Sequence, residues 1–509
     1  MSLPGFSKEH EAKYGVTNTI TIPPMSEWRF EVPHKNIVKV KVTKGIGEIF
    51  GTELAIGYEY QFLGVKYGLF VPPQQVENLE EVVTADGDEI EGCTVEFTLI
   101  ENTDHSSYSS ESIQFIEYIS DDTESMKQYL SLHFMLESLR EQAKFQLMLN
   151  RVQPQLGPRV LILGNDNLGK TTLAKILSGY AWKGGNVPIL VNLDPQEGVF
   201  SMPTSLTAVG VSDRFDLESC GGYGTTTTSN VTLHNPKQPL VKNFGFFLVD
   251  ENPDLYKLQT EKLSLAVLSR LKEDEECRYG GIIVDTPSSL KKNLDLLDTI
   301  VSDFEINVIV VLDNERVLVD LKRKFQHKLR ALTIVKVPKS GGILDADSDG
   351  RSKRLQQQQM VREYFNGNFK LSLSPFKTEI VINDYVFFKV LEKVEDFNQF
   401  LPSTDSFAGD DDDEAGGDKA DDKLKDSHED KYYSLIELPT ESDLENCVVA
   451  VTHLPLAGYT IKALLKASVL GYIHISKVDD DKGRAKVLLP FPGNLQKNVL
   501  IVTKLSYTE

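Results

Sequence analysis

Residues 161–177, LILGNDNLGKTTLAKIL, contain the pattern that decides the fold of this chain. An apolar run leads into a glycine-containing turn, then into Lys170 and Thr171, and an amphipathic segment follows. Residues 164–171 fit G-x-x-x-x-G-K-[ST] at every position, between a predicted strand and a predicted helix. The pattern therefore predicts a phosphate-binding loop. It leaves open whether the loop only holds a nucleotide or also drives a reaction with it.

Each part of this loop has a role in binding phosphate. Gly164 and Gly169 allow backbone angles that turn N–H groups toward phosphate oxygens, and the helix N-terminus adds partial positive charge. Lys170 would neutralise the β- and γ-phosphates, and the Thr171 hydroxyl would bind Mg²⁺. No N-K-x-D motif for reading guanine is present, and the nearest approach is SKVD at 476–479. We therefore expect ATP and Mg²⁺, rather than GTP.

Two aspartates follow apolar runs that are typical of buried strands. Asp194 comes after VPILVNL, and Asp285 comes after GGIIV. A phosphate-binding loop requires a carboxylate at the end of a neighbouring strand to orient the water on the metal. Each aspartate alone could also be a helix cap or a turn residue. Together they indicate the metal side of the site, so that Thr171, Asp194 and Asp285 are the expected Mg²⁺ residues.

The sequence around the loop predicts an α/β domain. Apolar strand runs alternate with helical patterns over residues 158–368, and such runs are typical of a buried, mostly parallel sheet. The predicted strands are RVLILG, VPILVNLD, YGGIIVDT, NVIVVLDNE and ALTIVKV. A long helix over 123–150 leads into this domain, with Asp121, Asp122 and Thr123 as candidate capping residues and an apolar face at Met126, Tyr129, Leu130, His133, Phe134 and Leu136. The P-loop domain is therefore expected to span 123–368.

Two β-rich domains are predicted to flank it. Residues 1–122 contain alternating strands separated by glycines, which indicate a β-sandwich, with a loop excursion at 74–92. Residues 369–509 predict a small α+β domain that includes a hairpin around the turn DDDKG. Residues 403–430, inside this last domain, are almost without apolar residues and are expected to be a disordered acidic insert.

Composition excludes several classes of protein. The chain has 509 residues and a net charge of −21, of which the acidic insert contributes nine. Such a charge disfavours nucleic-acid binding through a broad basic face, because phosphate contacts need clustered Lys and Arg. The four cysteines are far apart, which is typical of a reducing compartment. No apolar run is long enough to predict a membrane span, and the N-terminus does not resemble a signal peptide.

Segments outside the loop occur in an order that resembles the Clp family, in particular its fungal branch. In chain order they are VNLDPQEGVFSMPTSLTAVGVSDRFD, IIVDTPSSL, VIVVLDNERVLVDLKRKF, VKVPKSGG and MVREYFNG, with SEWRFEV, GIGEIFGTEL and VKYGLFV nearer the N-terminus. The family comprises ATP-binding subunits of the mRNA 3′-end cleavage and polyadenylation machinery, and its animal members are RNA 5′-hydroxyl polynucleotide kinases. The resemblance covers nearly the whole chain apart from 72–125 and the acidic insert.

The resemblance implies which residues hold the nucleotide. In this family a glutamate and a lysine of the β domain contact the adenine end, and by position these are Glu27 and Lys66. Without the resemblance both would be interpreted as surface charges. The triphosphate would be carried by Asn167, Leu168, Gly169, Lys170, Thr171 and Thr172.

The resemblance also implies how a kinase reaction would proceed here. Asp194 would accept the proton of the hydroxyl, while Lys170 and Arg316 would stabilise the transferring phosphoryl group. Arg316 belongs to a basic segment, ERVLVDLKRKF, that also contains Lys322 and Arg323 and resembles the lid of the kinases. A basic helical segment is equally the pattern of a solvated face.

Two departures from the kinases argue against catalysis. The kinases have a D-x-G-Q turn, whereas this chain has Pro195 after the aspartate, and proline fixes φ and lacks an N–H. They also have a T-x-G-W clasp whose tryptophan can stack on a nucleotide, but residues 286–289 are TPSS. The only tryptophans, Trp28 and Trp182, lie elsewhere. The pattern resembles fungal members, which bind ATP tightly without kinase activity.

We therefore expect an ATP-binding structural subunit of the nuclear pre-mRNA 3′-end cleavage and polyadenylation factor IA, with no catalytic residues. The alternatives are an active ATP-dependent RNA 5′-hydroxyl kinase and an ATPase switch that regulates assembly. The implied partners are the other subunits, chiefly a Pcf-type factor that binds the polymerase tail and docks on the ATPase domain. RNA would be contacted indirectly, with no DNA or membrane. Segment 239–247, PLVKNFGFF, with Lys242 and Asn243, is either a docking strand or an ordinary core strand.

Overall fold

The computed structural model describes residues 14–73, 92–102, 115–149, 155–223, 239–327, 331–342, 351–393, 431–490 and 492–508. The predicted excursion at 74–92, except for Gly92, and the predicted acidic insert at 403–430 lie outside these residues. In the described part of the chain, no helix combines the length and the apolar character that crossing a membrane requires.

The N-terminal part is a β-sandwich, as predicted. Its strands are β1 (Thr17–Ile22), β2 (Glu27–Glu31), β3 (Asn36–Lys44), β4 (Glu48–Ile49), β5 (Thr52–Glu53), β6 (Glu59–Leu63), β7 (Lys66–Phe70), β8 (Cys93–Glu101) and β9 (Ile116–Ser120). One sheet has the order β1-β8-β3-β6 and the other β5-β4-β7-β2-β9. Alternation along β3 buries Val38, Val40 and Val42 while the lysines between them face outward.

Helix α1 (Glu124–Met148) connects the sandwich to the next sheet, close to the predicted span. At its start the Thr123 hydroxyl donates to the Met25 carbonyl at 2.7 Å, which ties the helix to the sandwich. The prediction of Phe134 on the apolar face is wrong, because this side chain is 66% exposed. The buried stripe runs through residues such as Tyr129 and Leu136, and position 134 lies about 200° around the helix from 136.

The central domain is built on a seven-stranded sheet, and the phosphate-binding loop lies at the end of the middle one of its five parallel strands. Its elements are β10 (Arg159–Leu163), α2 (Lys170–Lys183), β11 (Ile189–Asn192), β12 (Ser205–Gly210), β13 (Leu240–Asn243), α3 (Pro253–Glu273), α4 (Glu275–Gly280), β14 (Ile282–Asp285), α5 (Leu294–Asp303), β15 (Val308–Leu312), α6 (Glu315–Lys324), β16 (Thr333–Val337) and α7 (Arg351–Asn366). The order is β13-β12-β11-β14-β10-β15-β16, and β11, β14, β10, β15 and β16 are parallel. All five predicted runs form these parallel strands, so the mostly parallel sheet is confirmed.

Two antiparallel strands, β12 and β13, extend one edge of this sheet. Strand β13 lies within the segment 239–247, and its Lys242 is only 5% exposed. The Lys242 ammonium donates to the Lys466 carbonyl at 2.6 Å, in the C-terminal part of the chain. The core-strand interpretation of this segment is therefore confirmed, and the interpretation of Lys242 as an exposed docking residue is wrong.

The C-terminal part forms a second seven-stranded sheet, in agreement with the predicted β-rich α+β class. Its elements are β17 (Phe376–Val381), β18 (Phe387–Val390), β19 (Tyr433–Leu435), α8 (Glu441–Leu444), β20 (Cys447–Pro455), α9 (Ile461–Lys466), β21 (Val469–Asp479), β22 (Arg484–Leu489) and β23 (Asn498–Ser506). The order is β17-β22-β21-β20-β23-β18-β19. The hairpin predicted around DDDKG is confirmed as β21–β22, with Asp479 opposite Arg484.

The central sheet packs against one flanking part on each face. Successive residues of β10 point to opposite faces of the sheet. Ile162 belongs to an apolar cluster that includes Trp28 of the sandwich, whereas Leu161 belongs to one that includes Val448 of the C-terminal sheet. Apolar cores therefore run across the predicted domain boundaries. The division of the chain at residues 122 and 368 stays a prediction.

Candidate functional site

The phosphate-binding loop leaves β10, the middle of the five parallel strands, and enters α2. Two residues of this loop have left-handed backbone angles, Asn167 with φ 54° and Gly169 with φ 83°. A side chain is strained at such an angle, which accounts for glycine directly before the first residue of the helix. Such angles allow successive backbone N–H groups to point to one side of a loop, as a phosphate requires.

Lys170 is the cation of this loop. It is the first residue of α2 and is 7% exposed, and its ammonium donates to the Asn165 carbonyl at 2.9 Å. A buried ammonium loses its hydration and therefore needs anionic partners. Together with the N–H groups of the loop, Lys170 fits the chemistry of a polyphosphate.

Thr171 and Asp285 meet directly at the floor of the loop. The Thr171 hydroxyl donates to Asp285 Oδ2 at 2.6 Å. Asp285 is 1% exposed, and within the described residues its Oδ1 has no hydrogen-bond partner. Burial raises the pKa of Asp285 to about 7, although the bond from Thr171 opposes this rise. An unpaired buried oxygen beside a hydroxyl fits the position of a metal-bound water.

Asp194 lies on the neighbouring strand end. Strands β11 and β14 are parallel with Asn192 opposite Asp285, so that both aspartates lie at the carboxyl edge of the sheet. Asp194 is half-buried, and its Oδ1 accepts from the Gln196 N–H at 3.0 Å. Burial raises the pKa of Asp194, and the nearby negative charge of Glu197 adds to this effect.

The described residues contain no cluster of three or more His, Cys, Asp or Glu side chains that could hold a metal ion alone. Thr171, Asp194 and Asp285 could supply only part of a coordination shell. Mg²⁺ at such sites takes one or two protein ligands and completes its shell with phosphate oxygens and water. The residues present therefore fit Mg²⁺ that arrives with a nucleotide.

A cleft of about 160 Å³ lies between the β-sandwich and the loop. Glu27 and Lys66 line it from the sandwich, and Leu168, Gly169 and Thr172 line it from the loop. The structure thus brings together five of the residues that the sequence predicts for nucleotide binding. Asn167, an exposed residue of the loop, is next to Leu168 in the chain but is not among those that line the cleft.

Sequence reasoning missed Arg29, which also lines this cleft. Its Nε donates to Glu27 Oε2 at 2.7 Å, and its Nη2 donates to the Asp122 carbonyl at 3.1 Å. Residues two apart in a strand share a face, so Arg29 lies on the same face of β2 as Glu27. This alternation is the sequence signal for Arg29. Lys66, in turn, forms an ion pair with Glu31 at 2.7 Å.

The loop after β16 closes the third side of the cleft. Ser340 and Gly342 line it, and the Tyr129 hydroxyl of α1 donates to the Pro338 carbonyl at 2.9 Å. Gly342 packs against Arg29 so closely that an added Cβ would lie 2.6 Å from Arg29 Nε. The glycines of VKVPKSGG are the sequence signal for this close approach.

A second cleft, of about 210 Å³, lies on another side of the loop. Asp166, Asp194, Asp250 and Ser288 are among the residues that line it, and the Ser288 hydroxyl donates to Asp166. Ser289 lies here in the position where the kinase pattern has tryptophan. The two tryptophans are elsewhere, one in the core of the sandwich and the other in the last turn of α2.

The predicted lid residues are all exposed on α6. The Asn314 side chain donates to Asn165 Oδ1 at 3.4 Å, which places the start of α6 near the loop. Arg316 lies two residues farther along and is therefore near the loop as well. Lys322 and Arg323 lie in the last turn, about 9 Å farther along the axis. The structure therefore places only Arg316 near the phosphate-binding loop.

Comparisons with known proteins agree along the whole chain. Residues 21–143 match the N-terminal beta-sandwich domain of polyadenylation factor, residues 164–367 match the mRNA cleavage and polyadenylation factor CLP1 P-loop, and residues 373–509 match the pre-mRNA cleavage complex II protein Clp1. The chain is 46% identical over 515 residues to the mRNA cleavage and polyadenylation factor CLP1 of Candida albicans. It is 44% identical over 518 residues to that of Debaryomyces hansenii, and both comparisons cover 100% of each chain.

Two solved structures are similar over nearly the whole chain, each at 28% identity. A complex of wild-type Clp1p with a segment of Pcf11p covers 97% of this chain and 99% of its own, with a TM-score of 0.75. A structure that describes an extended Pcf11p–Clp1p interface and ATP loss in a point mutant covers 98% of this chain and 100% of its own, with a TM-score of 0.76. The chain therefore belongs to the Clp1 family of mRNA cleavage and polyadenylation factors.

Proposed function

We propose that this chain is an ATP-binding structural subunit of the nuclear pre-mRNA 3′-end cleavage and polyadenylation factor IA. In this role it bridges other subunits and holds ATP without hydrolysing it. The observation that carries the proposal is the cleft of about 160 Å³, to which the sandwich, the phosphate-binding loop and the loop after β16 each contribute. A nucleotide in this cleft would contact all three parts of the chain.

We infer that ATP is retained because residues in and near the second cleft depart from the kinase pattern. A transfer reaction needs the acceptor held in line with the phosphate, with cations over the transferring group. Ser289 offers no ring on which a base could stack. Pro195 removes one N–H from the turn after Asp194. Binding without these parts would produce a stable complex rather than turnover.

Mass spectrometry of the nucleotide that co-purifies with the full-length chain tests this proposal. We expect intact ATP in about one equivalent, unchanged after days at 4 °C, because Pro195 and Ser289 replace parts that the kinase pattern uses to hold an acceptor. Recovery of ADP that accumulates with time would instead favour an ATPase switch. Protein that neither retains nor rebinds ATP would contradict the proposal.

An active RNA 5′-hydroxyl kinase is the second candidate, and one observation favours it. Asp194 lines the second cleft beside the loop, and burial raises the pKa of its carboxyl group, which makes it a better proton acceptor. In that reaction Lys170 and Arg316 would stabilise the phosphoryl group. Labelled ATP and a 5′-hydroxyl oligoribonucleotide would decide, with Lys170→Ala as the control. Transfer that disappears in this variant would replace the structural proposal.

The proposed partners are the other subunits of the factor, chiefly a Pcf-type subunit that docks on the P-loop domain. The solved relatives that pair Clp1p with Pcf11p support this choice. The net charge of −21 supports indirect rather than direct contact with RNA, and no contact with DNA or a membrane. Co-purification with a Pcf11-type fragment, and fluorescence of the tagged chain in the nucleus, would test the partner and the compartment.

A further inference from the structure

A second lysine reaches the phosphate-binding loop from outside it. Lys291 ends a 3₁₀ turn that begins at Ser288, shortly after β14. Its ammonium donates to Asn165 Oδ1 in the loop, and the Asn314 side chain donates to the same oxygen at 3.4 Å. Asn165 thus accepts a hydrogen bond from Lys291 through its side-chain oxygen and another from Lys170 through its backbone carbonyl.

These two ammonium groups converge on one uncharged residue. Within the described ranges, neither Lys170 nor Lys291 forms a direct ion pair with a carboxylate, although the charge of Lys170 acts on Asp194 and Asp285. Two ammonium groups on one uncharged residue concentrate positive charge there. An anion beside Asn165 would be attracted to both. The geometry therefore provides a site for negative charge at this end of the loop.

The position of Asn165 indicates which part of a nucleotide would supply that charge. The cleft for the base is lined by Leu168, Gly169 and Thr172, at the end of the loop where α2 begins. Asn165 lies at the opposite end, beside Asp166, which lines the second cleft. A nucleotide that extends from the base cleft along the loop would present its last phosphate to Asn165.

We propose that Lys291 binds the terminal phosphate and makes this site prefer a nucleoside triphosphate to the diphosphate. The proposal rests on the ATP-binding role proposed above and adds the residue that recognises the third phosphate. When that phosphate is present, its anionic oxygens replace the neutral oxygen of Asn165 as the partner of Lys291. The exchange adds the attraction between opposite charges to a bond whose donor is already ionised. A diphosphate would end before Lys291 and leave its bond to Asn165 intact.

Lys291→Met tests the proposal, because methionine keeps most of the length of the side chain and removes its charge. Isothermal titration calorimetry on the full-length, nucleotide-stripped chain would compare ATP with ADP. We expect the affinity for ATP to fall roughly 10- to 100-fold and the affinity for ADP to fall less than about threefold. Lys291→Arg keeps the charge and should keep most of the preference. Lys272→Gln, a change at an exposed lysine of α3 outside both clefts, should leave the ratio of the two affinities unchanged.

The outcomes separate this proposal from the function on which it rests. If Lys291→Met weakens ATP and ADP equally, Lys291 only supports the loop, and the proposal is overturned. An unchanged ratio in a variant with a wild-type circular dichroism spectrum overturns it as well. If the wild-type chain binds neither nucleotide, the proposed ATP-binding function itself fails.

Discussion

Single charged residues in the site oppose the stability of the chain when no nucleotide is bound. Asp285 is the clearest case, since its Oδ1 is buried and, within the described residues, unpaired. A buried polar atom without a partner costs about 1–3 kcal/mol. Such a group persists where a ligand completes its bonding, so that the cost in the free chain becomes a gain in binding.

The substitution Asp285→Asn should therefore act in opposite directions on stability and on binding. The amide can still accept the bond from Thr171, and the buried charge is removed, so that the nucleotide-free chain should gain about 1 kcal/mol. The stabilisation that ATP and Mg²⁺ add should decrease, because the amide is a poorer partner for a metal-bound water. Urea unfolding with and without ATP and Mg²⁺ measures both effects.

The control for this prediction is Asp320→Asn, which removes the same charge from an exposed position on α6. It should change neither the stability of the free chain nor the effect of ATP. Destabilisation of the nucleotide-free chain by Asp285→Asn would contradict the view that Asp285 is kept for a ligand.

At the scale of elements, α7 holds a 3₁₀ turn, Cys220–Gly222, against the sandwich. Glu363 of α7 makes the connection, because its Oε2 accepts from the Cys220 N–H at 2.7 Å and its Oε1 accepts from the Gln359 side chain at 3.1 Å. Burial raises the pKa of Glu363 to about 7, and the charge of Asp216 adds to the rise. Ionised Glu363 therefore opposes the packing of α7.

Glu363→Gln should stabilise the chain above pH 7 and leave it unchanged near pH 4. Below pH 4.5, the ordinary pKa, Glu363 is protonated in both the folded and the unfolded chain. Between pH 4.5 and 7 the unfolded chain loses the proton first, so that the free energy of unfolding falls until the folded pKa is reached. Glutamine cannot ionise and can still accept from Cys220. We expect a gain of up to about 3 kcal/mol at pH 8.

Thermal or urea unfolding from pH 4 to 8 measures this difference. Glu275→Gln, at an exposed position on α4, is the control and should reproduce the wild-type profile. If Glu363→Gln is destabilising at pH 8, the bond from Cys220 requires the carboxylate, and the packing argument is wrong.

Parallel strands were predictable because both faces of a buried parallel sheet are apolar, so that β10, β14 and β15 read as unbroken apolar runs. The antiparallel edge was harder, since β12 (SLTAVG) mixes polar and apolar residues that are all at least half-buried. Site residues from the loop were predictable from its glycine spacing. Arg29 and Lys291 were not, because each becomes a site residue only through a contact with a distant part of the chain.

At the scale of the whole molecule, the nucleotide is not needed to join the parts. One apolar cluster joins the sandwich to the central sheet, and a second joins that sheet to the C-terminal part. The Tyr180 hydroxyl on α2 also donates to Glu48 of the sandwich. ATP would therefore strengthen an interface that already exists, rather than create one.

This arrangement leads to a prediction for Lys170→Ala combined with Thr171→Ala. At ATP concentrations of 100 to 1,000 times Kd, the wild-type chain should gain roughly 3–4 kcal/mol from the ligand, and the double variant should lose this gain. Its melting temperature should fall to that of the nucleotide-free wild-type chain. Calorimetry should still show one transition, because the continuous cores couple the parts without ATP. Affinity for a Pcf11-type fragment should fall in parallel. An unchanged melting temperature in ATP would contradict nucleotide binding by this loop, and two separate transitions would show that ATP, not the apolar core, joins the parts.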